Sequence, residues 1–230
     1  MSRYEKSAAG AVGLMVLAAA AIFFYAPTDY LQGPVQRIFY LHVSAAIAAY
    51  GCFAVVLVGG IIYLRNESMV ADRFARAGAL VGVVFTTVTL VMGMLWAKPI
   101  WGTFWTWDAR LTSTLVLLII YAGYLLVRRL ADPGRQAARL AAVVGIFGFI
   151  DVPVVHFSVT WWRTQHPGPI IVNDALPAQM LATFFFTLVC TLVLAAVLVV
   201  IRYRIETLVD ERMHVAEPVK VMAAEPEPSS

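Results

Sequence analysis

A chain of 230 residues that is 61% hydrophobic and 13% charged carries more apolar surface than a soluble domain of that size can bury, so its natural solvent is lipid. Its net charge of +3 calls for no nucleic-acid partner, because the basic residues are distributed as topology signals. Cys52 and Cys190 each lie in an apolar stretch, without a CxxC or CxxCH spacing, which argues against a redox pair and against a c-type haem attachment site.

Crossing a bilayer takes about 20 apolar residues. Six segments qualify in chain order: 10–26, 38–64, 77–97, 111–127, 140–158 and 177–201. Each is expected to be helical, since a lipid-exposed backbone must satisfy its own hydrogen bonds. The first is longer than a signal-peptide core and lacks a following small-residue cleavage site, so it is expected to be retained. Segment 38–64 is long enough to tilt or protrude.

Thirteen of the 17 Lys and Arg residues fall on one side: Arg3, Lys6, Arg65, Arg73, Arg76, Arg128, Arg129, Arg135, Arg139, Arg202, Arg204, Arg212 and Lys220. The other side holds Arg37, Lys98, Arg110 and Arg163. This asymmetry places both termini and loops 65–76 and 128–139 in the cytoplasm, and loops 27–37, 98–110 and 159–176 outside, facing a bacterial periplasm. The expected fold is all-α: a bundle of six transmembrane helices forming one membrane domain, 1–201, followed by a cytoplasmic tail, 202–230. The tail ends in Ala-Glu-Pro-Glu-Pro-Ser-Ser, a polar, low-complexity stretch expected to be disordered.

The outer loops carry the chemistry. Trp101-Gly102-Thr103-Phe104-Trp105-Thr106-Trp107-Asp108 puts three of six Trp within seven positions, and Trp161-Trp162 adds two more. In a helix, Trp101, Phe104, Trp105 and Asp108 share a face; in an extended strand, Trp101, Thr103, Trp105 and Trp107 do. Either gives an aromatic platform suited to a planar apolar ligand, with haem the first candidate. An interfacial aromatic belt accounts for one or two Trp at a helix end, but less well for three in a loop with Gly102 and Asp108.

Three of the four histidines, His42, His156 and His166, map to the outer half; His214 lies in the tail. Imidazole is a good axial ligand for haem iron. Zinc prefers a close tetrahedral set of His, Cys and carboxylates, and these loops hold no Cys. Arg37, Arg110 and Arg163 run against the charge trend. They are suited to haem propionates through the planar guanidinium fork, and equally to helix capping or lipid phosphates. Asp151, beside Pro153 in the fifth span, reads either as a functional intramembrane carboxyl or as a pairing across helices. No GxxxxGK[ST] loop is present, so ATP hydrolysis does not belong to this chain.

Arg37-Ile-Phe-Tyr-Leu-His42-Val, the loop from Trp96-Ala-Lys-Pro-Ile-Trp101 through Trp107-Asp108-Ala-Arg110-Leu-Thr, and Val155-His156-Phe-Ser-Val-Thr-Trp161-Trp162-Arg-Thr-Gln-His166 together resemble the haem-handling membrane proteins of c-type cytochrome biogenesis. These share a tryptophan-rich signature ending in Trp-Asp, and within them the resemblance is to the cytochrome c maturation protein C, or haem exporter protein C, family. It covers nearly the whole chain apart from its two ends. Phe104 departs from the pattern where a Trp is usual, and Ser44 where a Pro is common.

The resemblance implies a haem-binding and haem-delivery protein of the bacterial inner membrane rather than an enzyme. It would hold haem (haem b) at its outer face and present it to a small membrane-anchored periplasmic haem chaperone, which captures it covalently through a histidine. The implied partners are the ATPase and permease subunits of an ABC transporter, a small one-helix subunit and membrane lipid. His42 and His166 are the implied axial ligands; the residues alone leave His156 and His166 level, and only the resemblance ranks them. Trp101, Gly102, Trp105, Trp107, Asp108, Trp161 and Trp162 are expected to form the haem platform. Arg37, Arg110, Arg163 and His156 are expected as propionate or secondary contacts. Three alternatives stand beside this reading: a b-type cytochrome subunit, which would favour His pairs within the bilayer; a haem transporter, which would need a polar route; and a non-haem subunit of an ABC transporter complex whose Trp loop binds a partner.

Overall fold

In the computed structural model, residues 2–130, 134–162, 164–168 and 176–224 are described, with side chains described as far as residue 212. The chain runs through α1 (Arg3–Ala20), α2 (Ile38–Asn66), α3 (Met69–Trp101), α4 (Ala109–Leu130), α5 (Arg135–Gly148), α6 (Asp151–Trp161) and α7 (Ala178–Ala224). No strand ladder occurs among the described residues; one isolated bridge, Asp29 to Gly33, closes a turn. Among the described residues six helical stretches are long and apolar enough to cross a membrane, with α5 and α6 together making the fifth. Six successive spans bring the start of α1 and the later part of α7 to one end of the bundle, here called the arginine end. The opposite end is the tryptophan end.

Local chemistry sets the boundaries. Ser2 and Glu5 form a capping box that starts α1. A π turn, Ala21–Tyr25, finishes that span, and a 3₁₀ turn, Pro34–Arg37, leads into α2. Hydropathy places a loop at 65–76, but the structure has only a two-residue turn there. Glu67 takes a left-handed conformation (φ 55°) and the Ser68 side chain caps α3. At its far end α3 stops at Gly102, whose φ of 75° and N–H bond to the Lys98 carbonyl make a left-handed C-cap suited to glycine. The fifth span is broken at Phe149–Ile150. Pro153 supplies no N–H to the Phe149 carbonyl and excludes it sterically, and Val152 N bonds to that carbonyl instead, at 3.1 Å. The last helix continues to Ala224, so the expected tail begins as its extension. The expectation of a disordered end at 225–230 lies outside the described residues.

In lipid the apolar effect does not drive helix to helix, so close van der Waals packing must. The seam between α2 and α3 shows it. A Cβ on Gly78 would stand 2.8 Å from the Cys52 carbonyl, and one on Gly59 2.8 Å from that of Ala71. Ala45, Ala48, Ala49, Ala75 and Ala79 fill the same core. Phe53 of α2 stacks on Tyr121 of α4, with centroids 3.7 Å apart, and the Tyr121 hydroxyl donates to the Gly145 carbonyl, 3.0 Å away. α1 leans on α7, while α4 packs against α3, α5 and α6.

The arginine end is locked by a buried ionic network. Arg76 meets Asp72 (3.2 Å), Glu206 (2.8 Å) and Asp210 (2.8 Å); Arg73 meets Asp210 (2.7 Å) and Arg128 meets Asp72 (3.0 Å). Arg202 completes it on Glu206. These contacts join α3, α4 and α7, so several residues that carry the topology signal also carry structure.

Candidate functional site

His42 is the fifth residue of α2, close to the tryptophan end. Its ring rests on one face of α3 built by residues at helical spacing: Thr89, Gly93 and Trp96. His42 Nδ1 is 2.9 Å from the Thr89 carbonyl oxygen. A carbonyl only accepts, so Nδ1 carries the proton and Nε2 keeps its lone pair, the state of a metal-ligating imidazole. Trp96 lies edge-on to the imidazole at 5.9 Å. Its own indole N–H donates to Gln32 Oε1 (2.8 Å), and it packs edge-on against Phe39. Gly93 faces the imidazole directly, as its nearest neighbours are three atoms of that ring.

His166 reaches the same place from the third outer loop. Asp108 caps α4 by accepting from Leu111 N through Oδ1 (2.9 Å), and through Oδ2 it accepts from the Thr164 hydroxyl (2.9 Å). The His166 N–H in turn donates to that Thr164 hydroxyl (3.1 Å). The start of α4 and the His166 turn are thereby tied together. Arg110 adds a second tie: Nη1 lies 3.2 Å from His166 Nδ1, and Nη2 donates to the His156 carbonyl (3.3 Å). His166 Nδ1 also lies 3.0 Å from the Pro167 carbonyl. These two contacts demand opposite tautomers. Accepting from Arg110 puts the ring proton on Nε2, whereas donating to Pro167 frees Nε2 as a ligand. Burial, with the Arg110 charge second, holds the His166 imidazole down to about 4, so it is neutral near pH 7.

The two imidazoles face each other with centroids 6.4 Å apart and planes 29° from parallel. The spacing of the pair matches that of two imidazoles bonded at about 2 Å to one metal, and the stacked rings would each have to turn a nitrogen toward it. Among the described residues no three His, Cys, Asp or Glu side chains converge as a compact protein metal centre would require. The Trp105 indole N–H is buried with no acceptor among the described residues, a donor suited to a carboxylate-bearing ligand. The residues present therefore fit haem.

The signature loop is neither helix nor strand: Trp101 ends α3, Gly102 caps it and 103–108 is irregular. Trp105 and Trp107 meet edge to face at 5.5 Å. Trp107 is 77% exposed and Trp161 and Trp162 are 57% and 52% exposed, so three large apolar rings stand open at this end of the bundle. Phe157 stacks on Trp161. His156 is exposed, its ring edge-on to Phe157, and only its backbone carbonyl joins the site, through Arg110. Arg37 donates to the Thr28 hydroxyl (3.3 Å) and lies over the Phe23 ring; neither contact reaches the histidine pair. Arg163 lies outside the described residues. Asp151 is partly buried, and its Oδ2 has no hydrogen-bond partner among the described residues. Sequence reasoning missed Thr89, Gly93 and Thr164. Only the i, i+4, i+7 spacing of Thr89, Gly93 and Trp96 hinted at the first two.

Fold and site define a multi-pass membrane protein with two closely spaced imidazoles, His42 and His166, near its tryptophan-rich end. The chain matches the family described as Heme exporter protein C over residues 3–217. It is 40% identical over 182 residues to "Heme exporter protein C" of Escherichia coli strain K12, covering 79% of this chain and 74% of that protein. It is 37% identical to the protein of the same name from Bradyrhizobium diazoefficiens, covering 74% and 68%. It is 36% identical to a "Putative cytochrome c biosynthesis ccmC-like mitochondrial protein" of Marchantia polymorpha, covering 74% and 77%. The chain belongs to the Heme exporter protein C family.

Proposed function

We propose that this protein holds haem (haem b) as cargo at the periplasmic face of the bacterial inner membrane and delivers it to a membrane-anchored periplasmic haem chaperone during c-type cytochrome maturation. The observation that carries the reading is the His42–His166 pair at 6.4 Å, drawn from α2 and from a loop 124 residues later. His42 and His166 ligate the iron. Thr89 fixes the proton on the far nitrogen of His42. Asp108 and Thr164 hold the His166 turn in place. Arg110 pairs with a propionate, and in leaving His166 Nδ1 it releases that ring to donate to Pro167. The exposed rings of Trp107, Trp161 and Trp162 shelter the macrocycle and give the chaperone a surface to meet.

The tryptophan end faces the periplasm and both termini the cytoplasm, as the excess of basic residues at the arginine end supports. The ATPase and permease subunits of an ABC transporter, a one-helix subunit and membrane lipid complete the assembly. The protein's part is binding and presentation; the covalent step belongs to the chaperone.

The test is chaperone loading in cells carrying Trp105→Ala or Trp107→Ala. Both variants are expected to accumulate in the membrane like the parent and to load the chaperone poorly. Unchanged loading in both contradicts the platform.

A further inference from the structure

Most close-packed glycines in this bundle face backbone or core side chains of a neighbouring helix. Gly93 does not. A Cβ there would stand 2.9 Å from His42 Cε1, 3.4 Å from Nδ1 and 4.0 Å from Nε2, and these three ring atoms are its nearest neighbours. At Gly59 and Gly78 the nearest atoms are instead carbonyl oxygens of the facing helix. Gly93 therefore occupies a position where the absent side chain makes room for one imidazole. It lies one turn beyond Thr89, whose carbonyl takes the Nδ1 proton, and one turn before Trp96, which borders the same ring.

We infer that Gly93 is a positioning residue for haem binding: its missing side chain lets the His42 ring lie flat on α3, with Nδ1 on the Thr89 carbonyl and Nε2 presented to the iron. This rests on the reading of His42 as an iron ligand. A methyl group at position 93 has two ways to be accommodated. The ring turns away and loses Thr89, which unfixes its tautomer, or α3 lifts from α2 and carries Thr89 with it. Both misplace Nε2 relative to His166. Partners that orient a ligating histidine typically change metal affinity by about 10–100-fold.

The experiment titrates ferric haem (haemin) into the detergent-purified complex and reads the Soret and low-spin bands. Parent, Gly93→Ala, His42→Ala and the double variant are compared. Gly123→Ala is the control, since nothing lies within 4 Å of a Cβ at that site. Gly93→Ala is expected to weaken haem binding about tenfold or more and to perturb the low-spin spectrum. In the His42→Ala background the same change is expected to do nothing further, because residues that act through each other are not additive.

A parent-like spectrum and affinity in Gly93→Ala overturns the proposal. So does an equal loss from Gly93→Ala with and without His42, which assigns the glycine to helix packing alone. If Gly93→Ala fails to accumulate, the double variant decides. Recovery once the ring is removed supports the proposal, and continued failure contradicts it. If His42→Ala itself binds haem with the parent spectrum, the ligand reading fails, and this inference with it.

Discussion

Asp108 and Thr164, 56 residues apart in the chain, are joined by a 2.9 Å hydrogen bond from the Thr164 hydroxyl to Asp108 Oδ2. The other carboxylate oxygen caps α4. One side chain thus fixes the start of a membrane helix and the turn that carries His166. Losing an N-cap costs about 0.5–2 kcal/mol. Losing the tie to Thr164 frees the ligand turn.

Asp108→Ala is accordingly expected to lower haem occupancy strongly while lowering the thermal midpoint only slightly. Asp108→Asn, which remains a good cap and can still hydrogen-bond Thr164, is expected to fall between. Haem content per protein and a melting curve for both variants check this. Parent-like occupancy in Asp108→Ala contradicts the tie.

His166 sets a pH dependence with a definite sign. Its imidazole ligates only when neutral, and burial followed by the Arg110 charge lowers it from 6.5 to about 4. Haem uptake by the empty protein is therefore expected to persist below pH 6 and to fail as pH approaches about 4. Arg110→Gln removes a positive charge beside the ring, so the proton binds more readily and uptake is lost at a higher pH. A loss at the same or a lower pH contradicts the electrostatic role. The same sign holds for stability. The unfolded imidazole takes its proton near 6.5 and the folded one only near 4, so falling pH through that window favours the unfolded chain.

Arg76 is expected to be the most sensitive residue at the arginine end. Its guanidinium faces Asp72, Glu206 and Asp210 with its side chain 12% exposed. Removing one member of a buried ionic set strands the others, at a cost on the order of 3–5 kcal/mol. Arg76→Leu should lower the thermal midpoint or membrane level clearly while leaving the haem spectrum of the surviving protein unchanged. A parent-like midpoint contradicts the structural role assigned to the network.

Number and type of helices were legible because each span must carry its own apolar length. Their ends were less so. Hydropathy read Asp72, Arg73 and Arg76 as loop, whereas α3 includes them and each is paired across the bundle, Asp72 with Arg128, Arg73 with Asp210 and Arg76 with Glu206 and Asp210. Glu206 and Asp210 hid the extension of α7 in the same way. Pro153 was visible, but the break three to four residues before it depends on where the Phe149 carbonyl must bond.

At the site, the three outer histidines were legible from the residues, and the resemblance ranked them. His156 and His166 look alike in residue chemistry; in the fold His166 stands against His42 and His156 is exposed. Asp108 was legible as part of the signature loop, but its two protein partners, Leu111 N and the Thr164 hydroxyl, were not. The orienting group of His42 is a backbone carbonyl, which leaves no mark in residue identity. Gly93 is marked only by the absence of a side chain.

The central claim is that His42 and His166 hold one iron between them. The most direct measurement is the absorption spectrum of the purified protein, co-expressed with its haem chaperone, for the parent and for His42→Ala, His156→Ala and His166→Ala. The account predicts a low-spin Soret band that is lost or shifted with His42 or His166 and kept with His156. A band indifferent to His42 and His166, or a parent protein that never carries haem, contradicts it.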